Sequence, residues 1–208
     1  MTGGAAMART TTGQKSFIEQ ARREQIVDAA IDVLCESGFA AASLGAIAER
    51  IGVSKGVLSY HFAGKSELLR EVVARVLTEA AEYMTPRVAA AASYTDALRI
   101  YVTTNLHFIG THRREILAFT EIVNGMPPGG GEPPPYLEGH RSAVADLIRL
   151  LEAGQAAGEF GQFSAFVTAV SLRASVDAIS GLLRADPAMD VEAYGAQLLG
   201  LYERAVRA

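Results

Sequence analysis

The chain has 208 residues, 50% of them hydrophobic, and a formal net charge of −4, which suits one compact domain or two small ones and excludes wholesale disorder. It also excludes a nucleic-acid contact spread over most of the surface, which would need a basic chain to neutralise phosphates. One cysteine, Cys35, and a longest uncharged run of 13 residues, Phe160 to Leu172, exclude a disulfide framework, a cysteine-based metal cluster and a membrane span within that run, so a cytoplasmic protein without a membrane partner is expected.

Residues 1–15 lack apolar periodicity and are expected to form a flexible tail. From Ser16 the pattern turns helical: Ile26, Ala29, Ala30, Val33 and Leu34 recur at spacings of three and four, and Gly38 is placed to end the segment. Ser43 is placed to cap a short helix whose apolar stripe is Leu44, Ile47, Ala48 and Ile51. Gly52 stops it, and Ser54 is placed to cap another, from Lys55 to about Phe62. Two short helices joined by so little chain must cross steeply, which is helix-turn-helix geometry. Ala48 allows the close approach, and Gly52 can adopt a turn conformation denied to residues with a Cβ. A fourth helix is expected from Gly64 to about Tyr83, with the Glu67 carboxylate reaching back to a free backbone N–H. Further helices are expected at about 93–111, 112–124, 136–157, 164–185 and 191–207. Between them, GMPPGGGEPPP (Gly125 to Pro135) reads as a surface loop, because no helix or central strand survives that density of glycine and proline.

Counted locally, the charge is distributed unevenly. Between Ser37 and Ser66 the bases Arg50, Lys55 and Lys65 face the single acid Glu49, so a small basic patch sits at one end of an otherwise acidic chain, as expected where one face meets phosphate. From about Arg22 to Leu77 the chain resembles the DNA-binding domain of the TetR family of bacterial transcriptional regulators. The resemblance is carried by IVDAAIDVLCESGF, SLGAIAERIGVSKGVLSYHF and AGKSELL. It implies an all-α fold: an N-terminal three-helix helix-turn-helix domain (16–65) joined by a connecting helix to a C-terminal helical domain (66–208) that binds effector and dimerises. It further implies a homodimer on a palindromic operator, acting as a repressor released by a small molecule, with no cofactor. By position, Ser54, Lys55, Gly56, Val57, Ser59, Tyr60 and His61 form the recognition helix. Gly56 permits close approach, Lys55 and Val57 reach base edges, and Tyr60 or His61 meets phosphate. Lys65 and Ser43 are assigned to the DNA backbone. Ser59 stands where the family usually has tyrosine, which moves or weakens that aromatic phosphate contact.

For the second domain the resemblance is architectural only. On the expected helix from Ser93, Tyr101, Asn105, Phe108 and His112 share a face, and His140 begins a stripe with Val144, Leu147 and Leu151. Tyr101, Asn105, Phe108, Phe119 and His140 are the candidate effector contacts; for Asn105 and His140 a bond to a neighbouring helix is the alternative. Basic residues are scarce on these faces, which favours an apolar or aromatic effector over a polyanion. The helix at 164–185 carries two stripes, Leu172, Val176, Ile179, Leu183 and the small-residue set Val167, Val170, Ala174, Ala178, Gly181. The first, with Leu198, Leu201 and Tyr202, is the expected dimer interface in a four-helix bundle, the second stripe being the alternative. No metal site or catalytic motif is present: His107 and His112 are five apart and share no helix face, and there is no HExxH or G-x-S-x-G. An effector-independent architectural DNA-binding protein is the other functional reading.

Overall fold

The computed structural model describes residues 4–126 and 135–207; Met1 to Gly3 of the expected tail and most of the Gly/Pro-rich loop lie outside the described residues. Among the described residues the fold is all-α, as the periodicity requires. In chain order the helices are α1 (Gly4–Ala41), α2 (Leu44–Arg50), α3 (Lys55–His61), α4 (Lys65–Ala89), α5 (Tyr94–Thr111), α6 (Arg113–Gly125), α7 (Pro135–Ala156), α8 (Ala165–Ala185) and α9 (Val191–Ala205).

Two boundaries differ from expectation. α1 begins at Gly4, so the stretch to Lys15 is helical; once a helix is anchored by a packed segment, each further residue adds a backbone bond without a new nucleation cost. α4 continues through Pro86 to Ala89, where proline in the last turn forfeits one N–H while Ala90 N still donates to Pro86 O at 3.2 Å. Gly38 does break the helical conformation, with φ 78°.

The chain divides into two compact units, residues 1–72 and 73–208. In the first unit Ile26, Ile31, Leu34, Ile47, Leu58 and Phe62 are buried almost completely. In the second, α5, α7, α8 and α9 contribute Leu98, Val102, Leu147, Leu151, Leu172, Val176, Ile179 and Leu198 to one core. The α5–α9 approach is close enough that a Cβ on Gly195 would stand 2.3 Å from a Leu106 methyl; on α7, a Cβ on Gly154 would meet the ring of Phe160, in the connection that follows α7, at 2.3 Å.

Candidate nucleic-acid interface

The helix-turn-helix is built from caps and one tight turn. Ser43 Oγ accepts from Ala46 N at 3.1 Å and starts α2. Gly52, φ 68°, turns the chain, and Val53 N donates to Ala48 O at 3.0 Å. Ser54 occupies the N-cap position of α3, but its side chain makes no capping bond, contrary to the sequence expectation; the residue is exposed. Leu58 is fully buried and pins α3. Glu67 Oε2 accepts from Ala63 N at 2.6 Å just ahead of α4, as its spacing predicts. Arg23, overlooked in the sequence, ties the unit together: it donates to His61 O and to Glu71 at 3.3 Å, and its guanidinium lies 4.2 Å over the Phe62 ring.

The outward face of α3 carries Lys55, Gly56, Ser59 and Tyr60, all exposed, with Val57 and His61 half-buried beside them. A Cβ on Gly56 would meet nothing closer than Ser54 Oγ at 3.6 Å, so packing within the chain does not demand glycine there. Tyr60 is 72% exposed; its ring meets His61 edge-on and its hydroxyl donates to Glu19 at 3.2 Å.

The basic patch is smaller than the sequence count. Arg50 is bound in two bonds by Glu36, Nη1 to Oε2 at 2.7 Å and Nη2 to Oε1 at 2.6 Å, with Asp32 3.6 Å away. That guanidinium holds the Glu36 carboxyl below its usual pKa, and the pair presents little net charge. Lys65 Nζ donates to Phe39 O at 2.7 Å and lies 4.2 Å over the Phe39 ring; burial lowers its pKa. Lys55 is the base left exposed on α3 itself. Partners 14 and 26 residues away in sequence are invisible to a local charge count.

A domain profile described as "Bacterial regulatory proteins, tetR family" matches residues 26–72, the segment from the buried face of α1 to α4. The N-terminal domain belongs to the TetR family. The TetR-family likeness extends to the HTH-type transcriptional regulator BetI of Vibrio parahaemolyticus, 29% identical over 52% of this chain and 55% of that one. SrpR of Pseudomonas putida is 38% identical over 33% of this chain and 30% of its own length. The chain therefore spans about half the length, or less, of these curated relatives. Solved structures share the fold over nearly the whole chain. A tetR-family regulatory protein from Rhodococcus has TM-score 0.78, 21% identity and coverage of 89% of this chain and 97% of that one. AibR in complex with isovaleryl coenzyme A and operator DNA has TM-score 0.75, 19% identity, and coverage of 86% and 97%.

Beyond the TetR-family domain, the structure sorts the other predicted residues. Tyr101, Asn105 and His140 are brought together, around Arg173 and Asp177 of α8, which the sequence reading missed. Phe108 instead stacks on His112 at 4.0 Å and tilts against Tyr83 at 6.1 Å, and Phe119 is half-buried on α6. Basic residues are scarce on these faces, but one from α8, Arg173, lies against them. A signal was available: Arg173 and Asp177, four apart, are a charged pair in the middle of a helix whose one other charge, Arg184, lies in its last turn.

The expected dimer stripe also requires correction. Leu172, Val176, Ile179, Leu183, Leu198 and Tyr202 are buried within the single chain, and of the expected set Leu201 alone is exposed. The alternative stripe faces outward: Val167, Val170, Ala174, Ala178 and Gly181 are all exposed, with Phe166 and Leu182 beside them. With apolar residues on both its buried and its outward stripe, α8 has the length and mean hydropathy, 1.4, of a membrane span. An open groove on α9, lined by Tyr194, Gln197, Leu198, Leu201 and Arg204, lies on that helix's partly exposed side.

Proposed function

We propose that the chain is a DNA-binding transcriptional regulator that engages a palindromic operator as a homodimer and is released, as a repressor, by a small-molecule effector held in residues 73–208. The observation that carries the reading is α3 of the TetR-family domain: it is anchored by buried Leu58 and presents Lys55, Gly56, Ser59 and Tyr60 outward. That is the arrangement by which a short helix enters a major groove, with polar tips at base edges and a glycine where the backbone comes close. The exposed apolar face of α8 supports a dimer, which a palindrome requires. AibR, of the same fold, is seen with both an acyl-coenzyme A and operator DNA, which supports an effector-bearing second domain here. The covalent path from reading head to effector domain is α4, continuous from Lys65 to Ala89.

The test is selection of bound sequences from random duplexes, followed by salt titrations of the best site. Lys65→Ala weakens all sequences alike and reduces the slope of log affinity against log salt by about 1 per subunit. Lys55→Ala also changes which bases are preferred. A chain that enriches no sequence, or a Lys55 variant with unaltered preference, overturns the assignment. A DNA-bound chain that no effector releases would favour the architectural reading.

A further inference from the structure

One arginine interrupts the apolar middle of α8. The Arg173 side chain is 13% exposed and its partner Asp177, one turn on, is 48% exposed. Nη1 donates to the Tyr101 hydroxyl at 3.2 Å and to Asn105 Oδ1 at 3.1 Å. Nε and Nη2 both donate to the same Asp177 oxygen, Oδ1, at 3.0 and 2.6 Å. The second oxygen, Oδ2, lies 3.3 Å from His140 Nδ1 on α7. Asn105 is itself buried and donates through Nδ2 to Tyr101 O at 2.8 Å.

Arginine and carboxylate pair best as two parallel bonds to two oxygens. Asp177 does not use that fork: both bonds from Arg173 go to Oδ1, and Oδ2 lies against His140 instead. The two charges also differ in how firmly they are held. The guanidinium is fixed by two α5 side chains and would suffer a large desolvation penalty without an anion, whereas Asp177 is half in water and is readily solvated on leaving. A fixed buried cation thus carries an exchangeable, imperfectly paired counter-ion, beside three residues that the sequence marks as polar handles on apolar faces.

We propose that Arg173 is a carboxylate receptor and that the effector is an organic monocarboxylate with an apolar body, its two oxygens replacing Asp177 on the guanidinium. This rests on the reading of residues 73–208 as an effector domain. A single buried positive charge matches a monoanion rather than a polyanion, and a neutral ligand would leave Arg173 with Asp177 as it is. Val144, one turn along α7 from His140 and partly buried against the core, offers apolar surface to the body. Asp177, displaced, remains on the exposed rim beside His140.

Calorimetric titration of the full chain tests this with octanoate, phenylacetate and benzoate, each against the alcohol of the same skeleton. At least one carboxylate binds saturably and about tenfold or more tighter than its alcohol, a gap of about 1.4 kcal/mol. Asp177→Asn, which removes the resident competitor, strengthens that carboxylate severalfold and leaves the alcohol unchanged; Arg173→Gln abolishes the preference. If Arg173→Gln does not fold, the Asp177→Asn arm decides, since a merely structural ion pair would give no gain in carboxylate affinity. Carboxylates that bind no better than alcohols, or that Asp177→Asn leaves unchanged or weakened, overturn the proposal. Operator binding on the same preparations separates the two readings. Operator binding without carboxylate preference sinks the receptor and spares the regulator, and the reverse result sinks the regulator.

Discussion

Glu159 holds the start of a helix 64 residues away. Its Oε2 accepts from Thr95 N at 2.9 Å and its Oε1 from Tyr94 N at 3.2 Å, at the positive end of the α5 dipole, and Ser93 Oγ accepts from Asp96 N at 3.0 Å to complete the cap. The bond from Thr95 N is the main reason that the Glu159 carboxyl has its pKa lowered from the ordinary 4.5, with burial acting against it. A carboxyl whose pKa is lower folded than unfolded contributes stability that is present above the unfolded value and lost as pH falls through the folded one. Glu159→Gln should therefore lower the urea midpoint more near pH 7 than near pH 3, because the carboxylate's contribution fades as pH falls through its folded pKa. An equal loss at both pH values would mean that packing, not charge, is what Glu159 supplies. Arg50 makes the same point about charge: counted along the chain it belongs to a basic patch, but the Glu36 carboxylate already pairs with it.

At the scale of elements, the turn between α2 and α3 depends on one backbone conformation. Gly52 has φ 68° and a Cβ there would meet nothing within 4 Å, so the penalty for a side chain is conformational rather than steric. Gly52→Ala should destabilise the first unit by about 1–2 kcal/mol. Gly45, inside α2 and with only Ser43 Oγ at 3.7 Å from its Cβ position, is the contrasting control: Gly45→Ala should be neutral or gain about 0.5–1 kcal/mol. Urea unfolding followed by circular dichroism compares them, and equal effects would show that the left-handed turn is not what limits the motif. These elements were legible in the sequence because their causes are local. Ser43, Gly52 and Glu67 each act within four residues, and Ile47 and Leu58 are assigned to the core by spacing alone. α4 ran past its expected end because proline in a last turn forfeits a single bond, which local pattern cannot weigh against packing.

For the whole molecule, the two faces of α8 have different fates, and substitution should separate them. Ile179 is fully buried, so Ile179→Glu should unfold the second unit, at a cost of about 4–5 kcal/mol or more. Ala174 is exposed on the outward stripe, so Ala174→Glu should leave helicity and melting intact while converting dimers to monomers and removing tight operator binding, since both half-sites must be engaged together. Light scattering with circular dichroism decides it; a folded Ala174→Glu dimer would place the subunit contact elsewhere. What the sequence by itself determined is helical periodicity, the Ser43 cap and the helix-turn-helix, all interactions between residues a few positions apart. It could not rank the two stripes of α8, because periodicity assigns residues to faces of a helix without saying what lies against each face. Nor could it place Arg173 against Tyr101 and Asn105, 72 and 68 residues earlier in the chain. Only tertiary packing, by burying one stripe with α5, α7 and α9 and leaving the other outward, decided which residues form the core, which face remains for a partner, and where the buried charge lies.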